Sequence, residues 1–329
     1  MSVSLKTLSS QSKISHPAPV QRDSPRSHRA LLVYNPRSGS HNPAALEGFL
    51  DALERLGWNF ERYELAALEK VSDTLEWNRF KQIIVSGGDG TVGAVARLTR
   101  VSGLPLMIFP GGTGNLVFQN LKLPRHPLEL AQVCHRGYWE CFDWVDFSSA
   151  AGQSGFLLMA GAGFDADLIR ESEALKASLG VMGYLLAGLK QLSPQHAELS
   201  LELDGVTVRT RGIMVLIANF GRANLGLPIL RGIDPQDGLL HVMVLKGRSP
   251  LTFLPHIFDA VLGKFGFEPL FEDRLEVYTC RQLRLETHPP LYTQLDGDAF
   301  GGQTPFTARV VPGAVRLVCP EPPVDARDF

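Results

Sequence analysis

Residues 86–91 read Ser-Gly-Gly-Asp-Gly-Thr, directly after the apolar run QIIV at 82–85 and before a helical pattern over 92–100. An apolar strand, a glycine-rich segment and a helix in this order are typical of a parallel sheet with crossover helices. Ligands bind at the carboxyl edge of such a sheet. Glycines there let backbone N–H groups approach phosphate oxygens, and the helix N-terminus adds partial positive charge. Because three glycines around an aspartate exceed what a tight turn needs, the segment predicts a phosphate site.

Two other predicted strand ends carry related segments. Residues 110–115 (PGGTGN) follow the apolar run at 104–109, and residues 35–40 (NPRSGS) follow the run ALLVY at 30–34. Two glycine segments at consecutive strand ends imply one shared ligand, to which the third segment could donate hydrogen bonds. Alone, that third segment would be an Asx-type turn. Neither glycine segment contains the Gly-Lys-Ser/Thr of a P-loop, so the predicted nucleotide site is of another kind.

The sequence pattern changes near residue 150, and this change predicts two domains. Short apolar runs alternate with helical patterns over 29–148, which predicts a nucleotide-binding α/β domain. Over 149–317 the runs are longer and alternate in polarity, and Asp204-Gly205 between two of them is a strong hairpin signal. We therefore expect a mainly antiparallel β domain there, with helical insertions near 166–192 and 250–265.

Both ends of the chain are predicted to be tails. Residues 1–28 are rich in Ser and Pro and predict a disordered tail, with an organelle transit peptide as the alternative. Residues 318–329 are predicted to form a C-terminal tail that packs back on the first domain.

With a net charge of −2, the 329-residue chain lacks the basic field that holds nucleic acid. No apolar run approaches the ~18 to 20 residues of a membrane span, so we expect a cytoplasmic protein.

The motifs NPRSG, SGGDGT and PGGTGN, in this order and spacing, resemble those of the diacylglycerol kinase catalytic domain family, which includes bacterial lipid kinases and sphingosine kinases. The resemblance covers residues 29–317. It implies a Rossmann-like N-terminal domain, a C-terminal antiparallel β-sandwich and an active site in the cleft between them. The nucleotide-binding residues that it implies are Asn35, Ser38, Gly87, Gly88, Asp89, Gly90, Thr91, Gly112, Thr113, Gly114 and Asn115.

The segment Leu-Asp-Gly-Asp at 295–298 places two carboxylates around a glycine. Phosphoryl transfer to a neutral hydroxyl often uses a carboxylate to accept the hydroxyl proton. By spacing alone the segment is a hairpin turn. The lipid kinases usually have Asp-Gly-Glu here, with the Glu as proposed general base. The resemblance therefore assigns the base to Asp298, one methylene shorter, with Asp89 orienting the nucleotide or assisting the metal.

The segment DPQDG at 234–238 carries two further carboxylates, just before a predicted strand. Two carboxylates and a backbone carbonyl form an all-oxygen ligand set that suits Mg²⁺, although a solvated turn has the same pattern. Some bacterial lipid kinases are similar in this loop and hold a structural Mg²⁺ with it. The resemblance implies Asp234, Asp237 and the carbonyl of Leu239 as the ligands.

Residues 161–166 (GAGFDA) match the dinucleotide fingerprint, which needs an acidic residue about 20 positions further on. Residues 181–188 (VMGYLLAG) contain none, which disfavours that interpretation. The stretch is familiar from lipid kinases, where it borders the acceptor site. This resemblance implies Asp165 and Asp167 as acceptor-site residues.

Together these patterns predict a kinase that transfers the γ-phosphoryl group of ATP, with Mg²⁺, to the hydroxyl of diacylglycerol or a related lipid at the membrane surface. Apolar stretches at 180–192 and 251–267 are either core or faces that contact acyl chains. An NAD kinase-like enzyme is one alternative, because that family is related and shares the GGDGT motif. A catalytically weak lipid-binding regulatory protein is another, because Asp298 stands where the family has Glu.

Overall fold

The structure is a computed structural model. It describes residues 28–36, 38–39, 42–163, 196–221, 233–246, 275–296 and 298–322. For residues 298 and 299 it describes the backbone only.

The first part of the chain forms parallel strands with helices between them, as the sequence pattern predicts. The elements are β1 His28–Tyr34, α1 Pro43–Arg55, β2 Trp58–Glu64, α2 Leu65–Val71, β3 Gln82–Gly87, α3 Asp89–Thr99, β4 Leu106–Pro110, α4 Leu116–Asn120 and α5 Pro127–Arg136. The four strands lie in the order β2-β1-β3-β4, and each neighbouring pair is parallel.

Helix α1 shows why these segments form where they do. The Asn42 side chain accepts a hydrogen bond from Ala45 N at 3.1 Å and caps the helix, and Pro43 occupies its first turn. Apolar residues at helical spacing form one buried face, as expected of an amphipathic helix. These residues are Leu46, Phe49, Leu50 and Leu53.

The second part of the chain is antiparallel β structure, which confirms the predicted fold class. Its strands are β5 Trp139–Ser149, β6 Gly152–Phe156, β7 Met159–Ala162, β8 Ala197–Leu203, β9 Val206–Gly212, β10 Met214–Ala218, β11 Leu240–Leu245, β12 Leu275–Cys280, β13 Gln282–His288, β14 Tyr292–Leu295, β15 Asp298–Gln303 and β16 Phe306–Val318.

Two sheets pack against each other as a sandwich. One has the order β12-β11-β10-β7-β14-β15, and the other includes β8, β9, β13 and β16. The core between them contains alternate residues of β8 and β13, such as Leu201 and Leu285, and residues of β10 and β11, such as Ile217 and Val242. The predicted hairpin at Asp204-Gly205 joins β8 to β9, with positive φ at both residues as a type I′ turn requires.

Strand β16 links the two parts of the molecule into one sheet. It pairs with β4 in parallel at Leu317 and Leu106, and with β5 and β13 in antiparallel fashion. The hydrophobic core of the first part also continues into β16 through Val315 and Leu317. The two predicted domains therefore share a sheet and a core.

Several sequence predictions lie outside the described residues. They concern residues 1–27 of the predicted tail, the helical insertions near 166–192 and 250–265, the two apolar stretches and residues 323–329 of the C-terminal tail. His28, the last residue of the predicted tail at 1–28, instead begins β1. None of the helices in the described part of the chain has the length and apolarity that crossing a bilayer requires.

Candidate active site

The two glycine segments touch at the carboxyl edge of the parallel sheet. Gly111 N donates to Gly87 O at 3.0 Å, just where β3 and β4 end. A Cβ on Gly112 would lie 2.4 Å from the Cα of Gly88, and a Cβ on Gly88 would lie 3.1 Å from the Cα of Gly112. Only glycine permits this approach, so the glycines of both segments are needed for packing as well as for any ligand.

The third segment joins the same edge. Asn35 Nδ2 donates to Thr91 Oγ1 at 3.1 Å, and Asn35 N donates to Ser86 O at 3.1 Å. A Cβ on Gly39 would lie 3.4 Å from Thr113 Oγ1. The structure therefore brings all three motifs together, and nucleotide binding by them stays a prediction.

Helix α3 begins earlier than the sequence pattern indicated. We predicted its helical stretch from Val92, whereas Asp89, Gly90 and Thr91 already form its first turn and Gly88 is its N-cap residue. The difference is caused by the glycines, which weaken a helical pattern in sequence but fit a helix start. The SGGDGT motif is thus a strand end and a helix N-terminus, and the partial positive charge of that N-terminus lies at the site.

Asp89 connects this helix to the next. Its Oδ1 accepts from Val117 N, at the start of α4, at 3.0 Å. Burial raises the pKa of Asp89, and hydrogen bonds from backbone N–H groups at Leu116 and Val117 oppose that rise. This carboxylate therefore orders the end of the second glycine segment. Neither motif, taken alone, predicts this contact.

Asp296 also contributes to the site, although the sequence predicted a role only for its neighbour Asp298. Its Oδ1 accepts from Leu158 N at 2.9 Å and Met159 N at 3.0 Å, and its Oδ2 accepts from Leu157 N at 3.0 Å. Burial, helped by the negative charge of Asp89, raises its pKa to about 7 although these three donors lower it.

The turn that carries Asp296 packs against α3. A Cβ on Gly93 would lie 2.8 Å from Asp296 Oδ2, and Gly93 stands one helical turn after Asp89. Asp298, the predicted base, begins β15 and pairs with Leu295 across this turn. The backbone of the predicted base is therefore held beside the helix that starts at the SGGDGT motif.

Asn219 holds the segment to which Asp296 binds. Its Nδ2 donates to Asp143 O at 3.0 Å and Leu157 O at 2.9 Å, and its backbone N donates to Leu158 O at 2.9 Å. Asn219 is fully buried. The sequence contained a signal for this role: Asn219 directly follows the apolar strand β10, where a buried polar residue needs hydrogen-bond partners.

The segment 234–238, which we predicted to bind Mg²⁺, brings Asp234 and Asp237 into one turn, and both carboxylates are engaged in hydrogen bonds. Asp237 Oδ1 accepts from Leu239 N at 2.9 Å, and its Oδ2 lies 3.1 Å from His241 Nε2. Asp234 Oδ1 accepts from Gln236 N at 3.3 Å. Across the described ranges, no three His, Cys, Asp or Glu side chains are grouped to hold a metal ion. A Mg²⁺ ion at this loop would compete with His241 for Asp237.

Asp143 lies next to this loop and was not predicted. Its Oδ2 accepts from Gly238 N at 2.7 Å and its Oδ1 from Gly313 N at 2.8 Å. Burial raises the pKa of Asp143, these donors lower it, and the negative charges of Asp237 and Asp234 raise it. Three acidic groups thus repel one another here, and a cation would relieve that repulsion. The oxygen donors therefore fit the predicted Mg²⁺.

Asp165 and Asp167, the predicted acceptor-site residues, lie outside the described residues, as does the side chain of Asp298. Strand β7, which ends at Ala162 shortly before Asp165 and Asp167, pairs with β14 and β10. The segment enters the undescribed region from the strand next to the Asp296 turn.

The fold and the convergence of the glycine motifs define a class of protein. Residues 29–146 match the model of the diacylglycerol kinase catalytic domain, and residues 159–319 match the YegS C-terminal NAD kinase beta sandwich-like domain. Residues 29–146 belong to the diacylglycerol kinase catalytic domain family, as the sequence motifs predicted.

Several relatives of the chain carry kinase names. A diacylglycerol kinase of Mycobacterium tuberculosis (strain ATCC 25618 / H37Rv) is 28% identical over 245 residues, covering 72% of this chain and 76% of the relative. The Probable lipid kinase YegS-like of Pseudomonas fluorescens (strain Pf0-1) is 26% identical over 303 residues, covering 89% and 94%. The crystal structure of a diacylglycerol kinase from Bacillus anthracis str. Sterne matches with a TM-score of 0.66 at 18% identity, covering 91% of this chain and 99% of that one. This last likeness confirms the fold.

Proposed function

We propose that this chain is an ATP-dependent kinase that transfers the γ-phosphoryl group to the hydroxyl of diacylglycerol or a related lipid. The observation that carries the proposal is the contact between the two glycine segments, with Gly112 against Gly88 at the N-terminus of α3. Backbone N–H groups and a helix N-terminus at one sheet edge suit a polyphosphate. The family membership supports a kinase.

The nucleotide would be held by groups that the structure keeps in place. Asn115 Oδ1 accepts from Gly112 N at 2.8 Å, Asn35 bonds Thr91, and Asp89 orders the start of α4. Because these contacts fix both glycine segments before the nucleotide arrives, little ordering is needed on binding. We propose ATP as the phosphoryl donor, as membership of a kinase family implies.

Asp298 is the proposed base. A carboxylate at the end of the Asp296 turn could accept the proton of the lipid hydroxyl, since the turn packs on α3 beside the glycine edge. General-base catalysis contributes about 10²- to 10⁴-fold, and positioning and charge neutralisation provide most of the rest. The departure from Glu shortens the reach of this carboxylate by one methylene.

The Mg²⁺ proposal rests on the loop at Asp234 and Asp237 with the carbonyl of Leu239. When bound, Mg²⁺ would neutralise acidic charge at this loop and stabilise its conformation. Asp143 would then transmit the loop position to Gly313 through its two backbone hydrogen bonds. We also propose that the lipid is met at the membrane surface, with Asp165 and Asp167 near its head group.

The test is a transfer assay with radiolabelled ATP and Mg²⁺. The acceptors are diacylglycerol, phosphatidylglycerol, a sphingoid base and undecaprenol in mixed micelles, and NAD in solution. We expect label on one lipid, a loss of about 100-fold or more in kcat for Asp298→Asn, and retained activity for Asp298→Glu, which restores the family residue. Asp51→Asn, an exposed change on α1, is the matched control.

The two alternatives give different results. Label on NAD alone would support an NAD kinase-like enzyme, to which the description of the matching β-sandwich model points. Lipid binding without any transfer, unaffected by Asp298→Asn, would support a lipid-binding regulatory protein.

A further inference from the structure

An open cavity of about 190 Å³ lies at the seam between β4 and β16. Arg100, in the 3₁₀ turn Arg100–Ser102 after α3, and Arg316, in β16, both line it. Leu104, Ala314 and Val315 provide apolar lining. A cavity of roughly 150 Å³ holds a benzene molecule, so this one has room for a small organic anion.

The charge around the cavity is positive. Arg100 Nη2 lies 3.0 Å from Asp146 Oδ1, and Arg309 Nη2 lies 3.9 Å from Asp146 Oδ2. Arg316 has no carboxylate within 4 Å among the residues that the structure describes. A second carboxylate, Asp143, accepts from the backbone N of the lining residue Gly313 at 2.8 Å. Three guanidinium groups around two carboxylates leave a local charge of about +1, in a chain whose net charge is −2. The C-terminal end of α3 offsets only about half a charge.

Arg316 is exposed to solvent, and two contacts hold its guanidinium group in place. Its Nη1 donates to Gly103 O at 2.6 Å, and its guanidinium carbon lies 4.5 Å from the centre of the Trp139 ring. A stacked guanidinium loses less conformational entropy when it binds a carboxylate or phosphate. The other lining is also fixed, because Asp143 binds the backbone N of Gly313, a lining residue in the bulge of β16.

The cavity is separate from the glycine edge. It touches Leu106, the first residue of β4, whereas the glycine segment follows Pro110, the last. At ~3.3 Å per residue, the two ends lie about 13 Å apart. Helix α3 likewise begins at Asp89 and ends beside the cavity at Thr99.

We propose that this cavity binds the anionic group of a small ligand, a phosphate monoester or a carboxylate, through Arg316 and Arg100. The bound anion would contact the turn after α3 and the bulge of β16. Helix α3 carries the SGGDGT motif at its other end, so a bound anion would contact the element that forms the nucleotide site, a link that rests on the proposed function.

The test uses inorganic phosphate as the probe in titration calorimetry, at constant ionic strength with chloride, and acetate as a second probe. We expect saturable phosphate binding to the wild-type chain, weakened at least tenfold by Arg316→Gln. Arg309→Gln is the matched control, since it removes one nearby positive charge from a residue that does not line the cavity, and it should change affinity less than twofold. Ala314→Leu, which fills the cavity and leaves every charge in place, should also weaken binding tenfold.

The source of the phosphate is decided by vesicles that contain phosphatidate, with phosphatidylcholine vesicles as reference. A tenfold loss of phosphatidate-vesicle binding in Arg316→Gln identifies a lipid head group, and unchanged vesicle binding alongside the loss for inorganic phosphate identifies a soluble ligand. Phosphate binding that ADP displaces and that Arg316→Gln and Ala314→Leu leave unchanged would assign the anion to the glycine edge and overturn the proposal. The absence of binding above chloride would overturn it as well.

Discussion

Replacing Gly112 by alanine places a methyl carbon 2.4 Å from the Cα of Gly88, where ordinary contacts begin at 3.4 Å. The two backbones must therefore separate by about 1 Å, from the difference of these distances. Such a shift would break the 3.0 Å hydrogen bond from Gly111 N to Gly87 O, at a cost of about 1 kcal/mol. Overpacking adds about 1–3 kcal/mol. We expect Gly112→Ala to lower the free energy of unfolding by about 2–4 kcal/mol.

The assay is urea unfolding, together with the affinity for a nonhydrolysable ATP analogue. Gly48→Ala in α1 is the control, because a Cβ there meets nothing within 4 Å, and alanine should stabilise the helix by about 0.5–1 kcal/mol. Nucleotide affinity should fall with Gly112→Ala and stay constant with Gly48→Ala. A Gly112→Ala protein that matches the wild type in both measurements would refute the reasoning from backbone contact.

Three further substitutions test contacts around the site and the core. The folded pKa of Asp296, about 7, exceeds the ordinary 3.8, so its contribution to stability is complete at low pH and lost as the pH rises to about 7. Urea unfolding should show wild type losing about 2–3 kcal/mol between pH 5 and 8 that Asp296→Asn does not lose. Asn219→Ala leaves two buried carbonyl oxygens without their donor and should cost about 2–4 kcal/mol, measured in the same way. Trp58→Phe removes the 3.1 Å bond from Nε1 to His135 Nδ1 and should lower stability by about 1–2 kcal/mol, seen as a lower Tm; an unchanged Tm would contradict it.

The local features of the fold were predictable because they depend on neighbours in sequence. The strands at β1, β3 and β4, the buried face of α1 and the Asp204-Gly205 hairpin all follow from periodicity and turn chemistry. The convergence of the three motifs also follows, since each ends a strand of one parallel sheet.

The site residues that sequence analysis missed depend on distant partners. Asp296 binds amides at 157–159, more than 130 residues earlier, and Asp143 binds Gly313, 170 residues later. In sequence, Asp296 belongs to a plausible hairpin turn. A clearer signal was present at Asp143, a carboxylate within the apolar run Cys-Phe-Asp-Trp-Val, because such a residue must find buried donors.

The pairing of β16 with β4 affects how the chain is made. Strand β4 ends at Pro110 and β16 begins at Phe306, so roughly 200 residues are synthesised between them. At about 5–20 residues per second, the ribosome needs on the order of 10–40 s for that stretch. During this time the β4 edge stays open at its future contact with Leu317. Exposed strand edges invite pairing with other chains, so chaperone demand should concentrate in this interval of translation.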